Sequence, residues 1–251
     1  MMTWSIPRIW PGETAAILGS GPSMSRDLCE QIRGRVRAVA VSNQGIPTRN
    51  RAGKIEPAFA PWADVLYSSD RVWWTHNAAA AIAFAGTKIT VEGPEPHRSF
   101  FKHPDVYALK NDGHRGFVDA PDSLRTGRNS GYAAAHVAAH FGATTILLCG
   151  FDMHEPKRAD EPTHWFGDHS FRPGFVSPYS LFIREFRKGA PEFERRGIRI
   201  INCTPGSALD FLPYQPIEVA LREAEERREV EGLQRVREGA QVHAGAGAAS
   251  P

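Results

Sequence analysis

Cysteine is scarce in this chain: Cys29, Cys149 and Cys203 are the three among 251 residues. They are far apart and no two form a Cys-x-x-Cys pair, which argues against a disulfide framework or a thiolate zinc site. Their apolar neighbours fit buried, reduced thiols. Long hydrophobic runs are also lacking. No segment approaches the ~18 consecutive apolar residues of a membrane-spanning helix, and the alanine-rich stretch 78–85 is short enough to be a packed helix. The opening MMTWSIPRIWPGE has no basic start followed by an apolar run, so it does not fit a signal peptide, and a cytoplasmic protein is expected. An excess of charge of one sign is missing: 30 Lys and Arg against 28 Asp and Glu give a net charge of +2. No basic stripe of the kind that marks a nucleic-acid footprint is present. Also missing are a Walker A Gly-Lys-Ser/Thr, a complete Gly-x-Gly-x-x-Gly, a His-Glu-x-x-His and any internal repeat.

What is there is enough for one domain with a proper core: 41% of the residues are hydrophobic. Apolar runs alternate with helical patterns, which predicts an α/β, Rossmann-like, mostly parallel sheet with helices on both faces, as a single domain over 1–238. Strands are expected at 15–18, 36–41, 65–67, 88–91, 106–109, 145–148 and 198–201. Helices are expected at 24–33, after an Asp70 N-cap through Trp73 and Trp74, at 130–140, at 178–196 and at 217–237. The Gly-, Pro- and Arg-bearing segment 45–61 reads as a loop. The run 223–237 reads as a solvated, ion-paired helix face. From Gly239 the low-complexity stretch 239–251 reads as a disordered tail.

Ligands of open α/β sheets bind beyond the carboxyl ends of the strands. Four predicted strand ends carry small or polar residues: 19–23, 42–44, 68–70 (with Ser69) and 150–152. In the first, Gly19, Ser20, Gly21, Pro22 and Ser23 fit a phosphate-approaching turn, with Pro22 in the first turn of the next helix. A tight βα turn with no ligand is the alternative. Asn43 offers donor and acceptor to a base or ribose, or caps a turn. Ser130 and Gly131 open a helix, as a second anion cradle or a plain N-terminus. The basic residues of 49–54, with Arg125 and Arg128, could meet an anionic acceptor or be solvated.

The loop after Asp152 holds His154, His164 and His169, three histidines within 16 positions, among Glu155, Trp165 and Asp168. Acid–base chemistry, a metal site with Asp152, and a polar surface loop are the three readings, and no metal-ligand template is matched.

Gly19–Ser23 after the first strand, Ser42-Asn43-Gln44 after the second, and Ser130-Gly131-Tyr132 with Gly150-Phe151-Asp152 together resemble bacterial sialyltransferases of the Campylobacter type. They equally resemble the related MptE-like proteins, which include archaeal pterin diphosphokinases and many phage-encoded members. The resemblance spans most of 15–213, and Asn202-Cys203-Thr204-Pro205-Gly206-Ser207 also fits it. It implies donor-nucleotide contacts from Gly19, Ser20, Gly21, Ser23, Asn43, Ser130, Gly131 and Asp152, and Ser69, at its strand end, is a further candidate contact. It gives His169, of the pair His169-Ser170, the role of general base. His154 stands where the family has one of two phosphate-assisting tyrosines, with His164 as a further candidate, and no tyrosine stands near Trp165. A nucleotide-sugar donor and metal-free transfer follow for the sialyltransferase-like function. The acceptor stays open among a glycan, a lipid-linked sugar, a small metabolite and a modified base in phage DNA. Mg²⁺ and ATP, with Asp152 as metal ligand, follow for a diphosphotransferase. A nucleotide-binding module without catalysis is the third class. Sialyltransferases of this type often form homo-oligomers.

Overall fold

The computed structural model of the chain describes residues 4–93, 100–156, 162–168 and 177–246, with side chains as far as 234. The strands among the described residues are β1 (Thr14–Leu18), β2 (Arg37–Val41), β3 (Thr48–Arg49), β4 (Ile55–Glu56), β5 (Val65–Tyr67), β6 (Thr87–Val91), β7 (Val106–Asn111), β8 (Ser123–Leu124), β9 (Thr145–Cys149) and β10 (Arg199–Asn202). The α-helices among them are α1 (Arg26–Ile32), α2 (Arg71–His76), α3 (Ala78–Ile82), α4 (Ser130–Phe141), α5 (Tyr179–Glu194) and α6 (Ile217–Ala246). Eight strands form one sheet in the order β10-β9-β1-β2-β5-β6-β7-β8, and its paired neighbours are parallel. The chain moves outward from β1 as far as β8, then returns to β9 on the other side of β1. This reversal of strand order opens a crevice at the carboxyl ends of β1 and β9. The fold is Rossmann-like.

The strands are buried on both faces, and their side chains alternate between two cores, as the pleat requires. Ala15 and Ile17 of β1, Val39 of β2 and Ile146 of β9 join one core, against α4 and α5. Ala16, Leu18, Ala40 and Leu147 join the other, against α1, α2, α3 and α6. Helix α4 begins where the Asn129 side chain accepts from the Tyr132 N–H at 2.7 Å. It stops at Gly142, whose φ of 108° is the left-handed cap conformation. Between these ends its alanines let it lie close on β1 and β2. Tyr132 donates to the Gly116 carbonyl at 2.8 Å, and its ring lies against Gly189 of α5, where any Cβ would collide with it.

Fully buried His136 fastens the segment before α4. Its Nε2 lies 3.0 Å from the Val118 carbonyl oxygen, while its Nδ1 accepts from the Arg125 N–H at 3.3 Å. Burial pushes its pKa down to about 3.

Several expectations need correction. Segment 45–61 contains the antiparallel β3–β4 hairpin rather than loop alone. Helix α1 begins at Arg26, where the Ser25 hydroxyl accepts from the Leu28 N–H at 3.1 Å, so Pro22 lies ahead of the helix instead of in its first turn. Strand β8 is two residues long and too short to show alternation in the sequence. Helix α6 continues past Gly239 to Ala246, through alanine and glutamine, which are good helix formers. The three cysteines are free and buried, and burial pushes Cys29 up to about 12. Among the described residues no helix is long and apolar enough to cross a membrane.

Candidate functional site

A cavity of about 530 Å³ opens over the carboxyl ends of β1, β2, β5, β6, β7 and β9. The turns after β1, β2, β5 and β9 and the start of α4 build its wall. Gly19, Ser20, Gly21, Asn43, Ser69, Ser130, Gly131, Asp152 and His164 line it. Ser23 and His154 do not.

In the glycine turn most donors are engaged, while Ser20 N–H and Ser20 Oγ have no partner among the described residues and Ser20 lines the cavity. Gly19 N–H donates to the Cys149 carbonyl at 2.7 Å, and Gly21 N–H to the Gly150 carbonyl at 2.9 Å. Ser23 N–H and Ser23 Oγ donate to the Asp152 carboxylate at 3.2 and 2.8 Å. The carboxylate lies where a Cβ on residue 21 would be, which accounts for glycine there. The turn's backbone thus serves the β1–β9 junction, and its anion seat is filled by the chain's own Asp152.

The start of α4 is different. Tyr132 N–H and Ala133 N–H are satisfied by Asn129, whereas Ser130 N–H and Gly131 N–H have no partner among the described residues. Ser130 Oγ accepts from the Ser69 N–H at 3.0 Å and keeps its own proton to donate. Three donors and the positive end of a 12-residue helix therefore face the cavity.

Asn43 stands across from them and is 1% exposed. The Trp73 indole N–H donates to its Oδ1, so the amide orientation is fixed and Nδ2 has no partner among the described residues. Asn43 is thereby a donor to the cavity. The neighbouring Gln44 donates to the Gly19 carbonyl and ties the β1 and β2 turns together.

His164 is stacked on Phe166, with ring centroids 5.1 Å apart. Burial lowers its pKa, and a hydrogen bond to the Ser20 backbone opposes part of that shift. A neutral imidazole is thereby favoured near pH 7. His154 turns away from the cavity: Met153 has a φ of 57° and lines the wall itself, and His154 Nδ1 lies 2.9 Å from the Glu155 carbonyl. His169 lies outside the described residues.

Tyr179, at the start of α5, lines the cavity and was missed in the sequence. Burial pushes its hydroxyl pKa up, so it stays protonated. Its distance from Trp165 along the chain hid it. Arg71 was missed as well. Arg128 has a φ of 58°, just ahead of the Asn129 cap, and lines the cavity without an ion pair among the described residues, whereas Arg125 is paired with Asp112 at 2.8 Å. In the β3–β4 hairpin, Lys54 is paired with Glu56 at 2.7 Å. An Mg²⁺ ion at Asp152 would share oxygens already used by Ser23. No group of three His, Cys, Asp or Glu side chains among the described residues is arranged to hold a metal.

No protein-family model, no curated protein and no solved structure matches the chain. Fold and cavity define its class: a Rossmann-like α/β protein with a ligand-sized cleft at the switch point of a parallel sheet.

Proposed function

We propose that the chain is a cytoplasmic transferase of the sialyltransferase-like group, which binds a nucleotide-activated sugar in this cavity and passes the sugar to an acceptor hydroxyl. The observation that carries this reading is the set of unsatisfied donors, Ser130 N–H, Gly131 N–H and Ser130 Oγ, facing the donor amide of Asn43 across one cavity. A phosphate suits the first group, and an acceptor atom of a base or ribose suits the second.

In the transfer, the acceptor oxygen forms a bond to the anomeric carbon as the bond from that carbon to the phosphate oxygen breaks. The electron pair leaves with the phosphate, onto the α4 donors and the Tyr179 hydroxyl. His164, neutral near pH 7, takes the acceptor's proton.

Thermal unfolding with CMP, UMP, UDP, GDP, ADP and ATP, each with and without Mg²⁺, tests this. A nucleotide at about a hundred times its dissociation constant adds roughly 2.7 kcal/mol. Stabilisation without metal is expected. Stabilisation by ATP with Mg²⁺ alone would replace glycosyl transfer with diphosphotransfer, and no stabilisation by any nucleotide would contradict both.

A further inference from the structure

Four aromatic rings run in series toward the cavity wall. Phe59 and Trp165 are stacked with ring centres 3.8 Å apart, Trp165 meets Phe166 edge-on at 5.4 Å, and Phe166 is stacked on His164 at 5.1 Å. Of the four, His164 alone lines the cavity. Segment 162–168 carries the last three rings and is closed as a turn. Gly167 N–H donates to the His164 carbonyl at 2.8 Å, and Thr163 Oγ1 donates to the Asp168 carboxylate at 3.2 Å. Phe59 supplies the other side of the contact. It follows the β3–β4 hairpin and stands between buried Ala58 and Ala60. The Ala60 N–H donates to the Gln44 carbonyl at 2.9 Å, which anchors Phe59 on the turn after β2.

Resting on the transfer reading above, in which His164 takes the acceptor's proton, we infer that Phe59 is a positioning residue for that step: its stack on Trp165 seats segment 162–168 and so holds His164 at the cavity wall. Besides the tie of His164 to the Ser20 backbone, the segment's polar contacts with the rest of the chain are long or exposed. Trp165 N–H donates to the Ser20 carbonyl at 3.3 Å. Arg51 N–H donates to the Asp168 carbonyl at 3.2 Å, and the two side chains form an exposed pair at 3.9 Å, which contributes little in water. The Trp165 indole N–H is buried with no hydrogen-bond partner among the described residues, so packing sets that ring. An offset stack is favourable beyond the area it buries, and Phe59 provides one. The seating shows in the imidazole. Burial lowers the His164 pKa against the pull of the Ser20 backbone and the Asp168 carboxylate, both of which favour the proton.

Nuclear magnetic resonance of the histidine rings in the full chain tests the inference without any ligand. The His164 signal is identified by its loss in His164→Gln. In the native chain it is expected upfield of a free histidine, through the ring current of Phe166, and with a pKa below the ordinary value of about 6.5. Phe59→Leu keeps apolar bulk and removes the stacking face. It should return the His164 signal to the free-histidine position with a pKa of about 6.5, whereas Phe59→Tyr should preserve both native values. Trp165→Leu breaks the same stack from the other side and should repeat the result, so the test does not depend on the fold tolerating one substitution. A thermal midpoint equal to that of the native chain confirms that a variant folds. Native His164 signals in both leucine variants would overturn the positioning role, as would a native chain whose His164 already titrates like a free histidine. Nucleotide titration of the same samples separates this from the reading it rests on. Failure of every nucleotide to bind would overturn the transfer step and the part of Phe59 in it, whereas native signals in the variants would overturn the seating alone.

Discussion

The Ser23 hydroxyl donates to the Asp152 carboxylate at 2.8 Å across 129 positions of chain, and the Ser23 backbone N–H donates to the same group. A glycine turn after the first strand is where a phosphate would be sought in a Rossmann-like fold. Here that turn already holds a carboxylate, which would repel a phosphate. Ser130 N–H, Gly131 N–H and Ser130 Oγ at the start of α4 are the donors to which the proposed function assigns the phosphate. Asp152→Asn should therefore cost about 1–3 kcal/mol of stability in chemical denaturation, because a charge-assisted pair of hydrogen bonds is lost. Nucleotide affinity measured without metal should be largely kept. A stably folded variant that binds no nucleotide would place Asp152 in direct contact with ligand.

Asn129 holds the first turn of α4 in place. Asn129→Ala should lower stability by about 1 kcal/mol, the usual cost of a lost N-cap. It should also weaken nucleotide binding, since Ser130 N–H and Gly131 N–H then fray. Calorimetry and thermal unfolding on the same samples check both effects, and unchanged affinity in a destabilised variant would separate α4 from the ligand.

Trp73 fixes the Asn43 amide through its indole N–H. Trp73→Phe keeps the aromatic ring and removes that donor, leaving a buried oxygen unpaired at a cost of about 1–3 kcal/mol. Nucleotide affinity should fall with it, because Nδ2 is no longer held toward the cavity. Full affinity in this variant would remove Asn43 from recognition.

Acid should destabilise the fold through His136, whose pKa burial depresses to about 3. An unfolded histidine titrates near 6.5. As pH falls below that value the unfolded chain takes up a proton that the native chain refuses, and stability declines until about pH 3, by about 1.4 kcal/mol per pH unit for one such group. Protonation would also turn Nδ1 into a donor facing the Arg125 N–H. His140, stacked on His136, is lowered by burial too and adds to the slope. Denaturation midpoints measured from pH 4 to pH 7 for the native chain and His136→Gln check this, and the variant should show the shallower dependence.

Gly189 is a packing glycine of α5, lying on the Tyr132 ring. Gly189→Ala should cost about 1–3 kcal/mol by overpacking, despite alanine's better helix propensity. A gain in stability would mean that α5 can shift away from α4 freely.

The parallel sheet was legible because its strands alternate between two cores and small residues end them. Helix α4 was legible from both ends, through Ser130 and Gly142. Asn43 could be picked out as a polar residue at a strand end. Other parts depend on contacts that local patterns do not carry. The filling of the glycine turn by Asp152 joins residues 129 positions apart. Tyr179 and Arg71 come into the cavity wall through the placement of α5 and α2 about the sheet, which sequence spacing does not carry. His154 stands in a histidine-bearing loop and is not among the residues lining the cavity.

In the proposed function the ligand's phosphate is held by the start of α4 and not by the glycine turn. Backbone amide resonances, followed by nuclear magnetic resonance as a stabilising nucleotide is titrated into isotope-labelled protein, test this most directly. The Ser130 and Gly131 amide protons should move downfield as they gain an acceptor, while those of Gly19, Gly21 and Ser23 stay close to their starting positions. Large shifts at Gly21 and Ser23 with none at Ser130 and Gly131 would contradict the account and return the phosphate to the glycine turn.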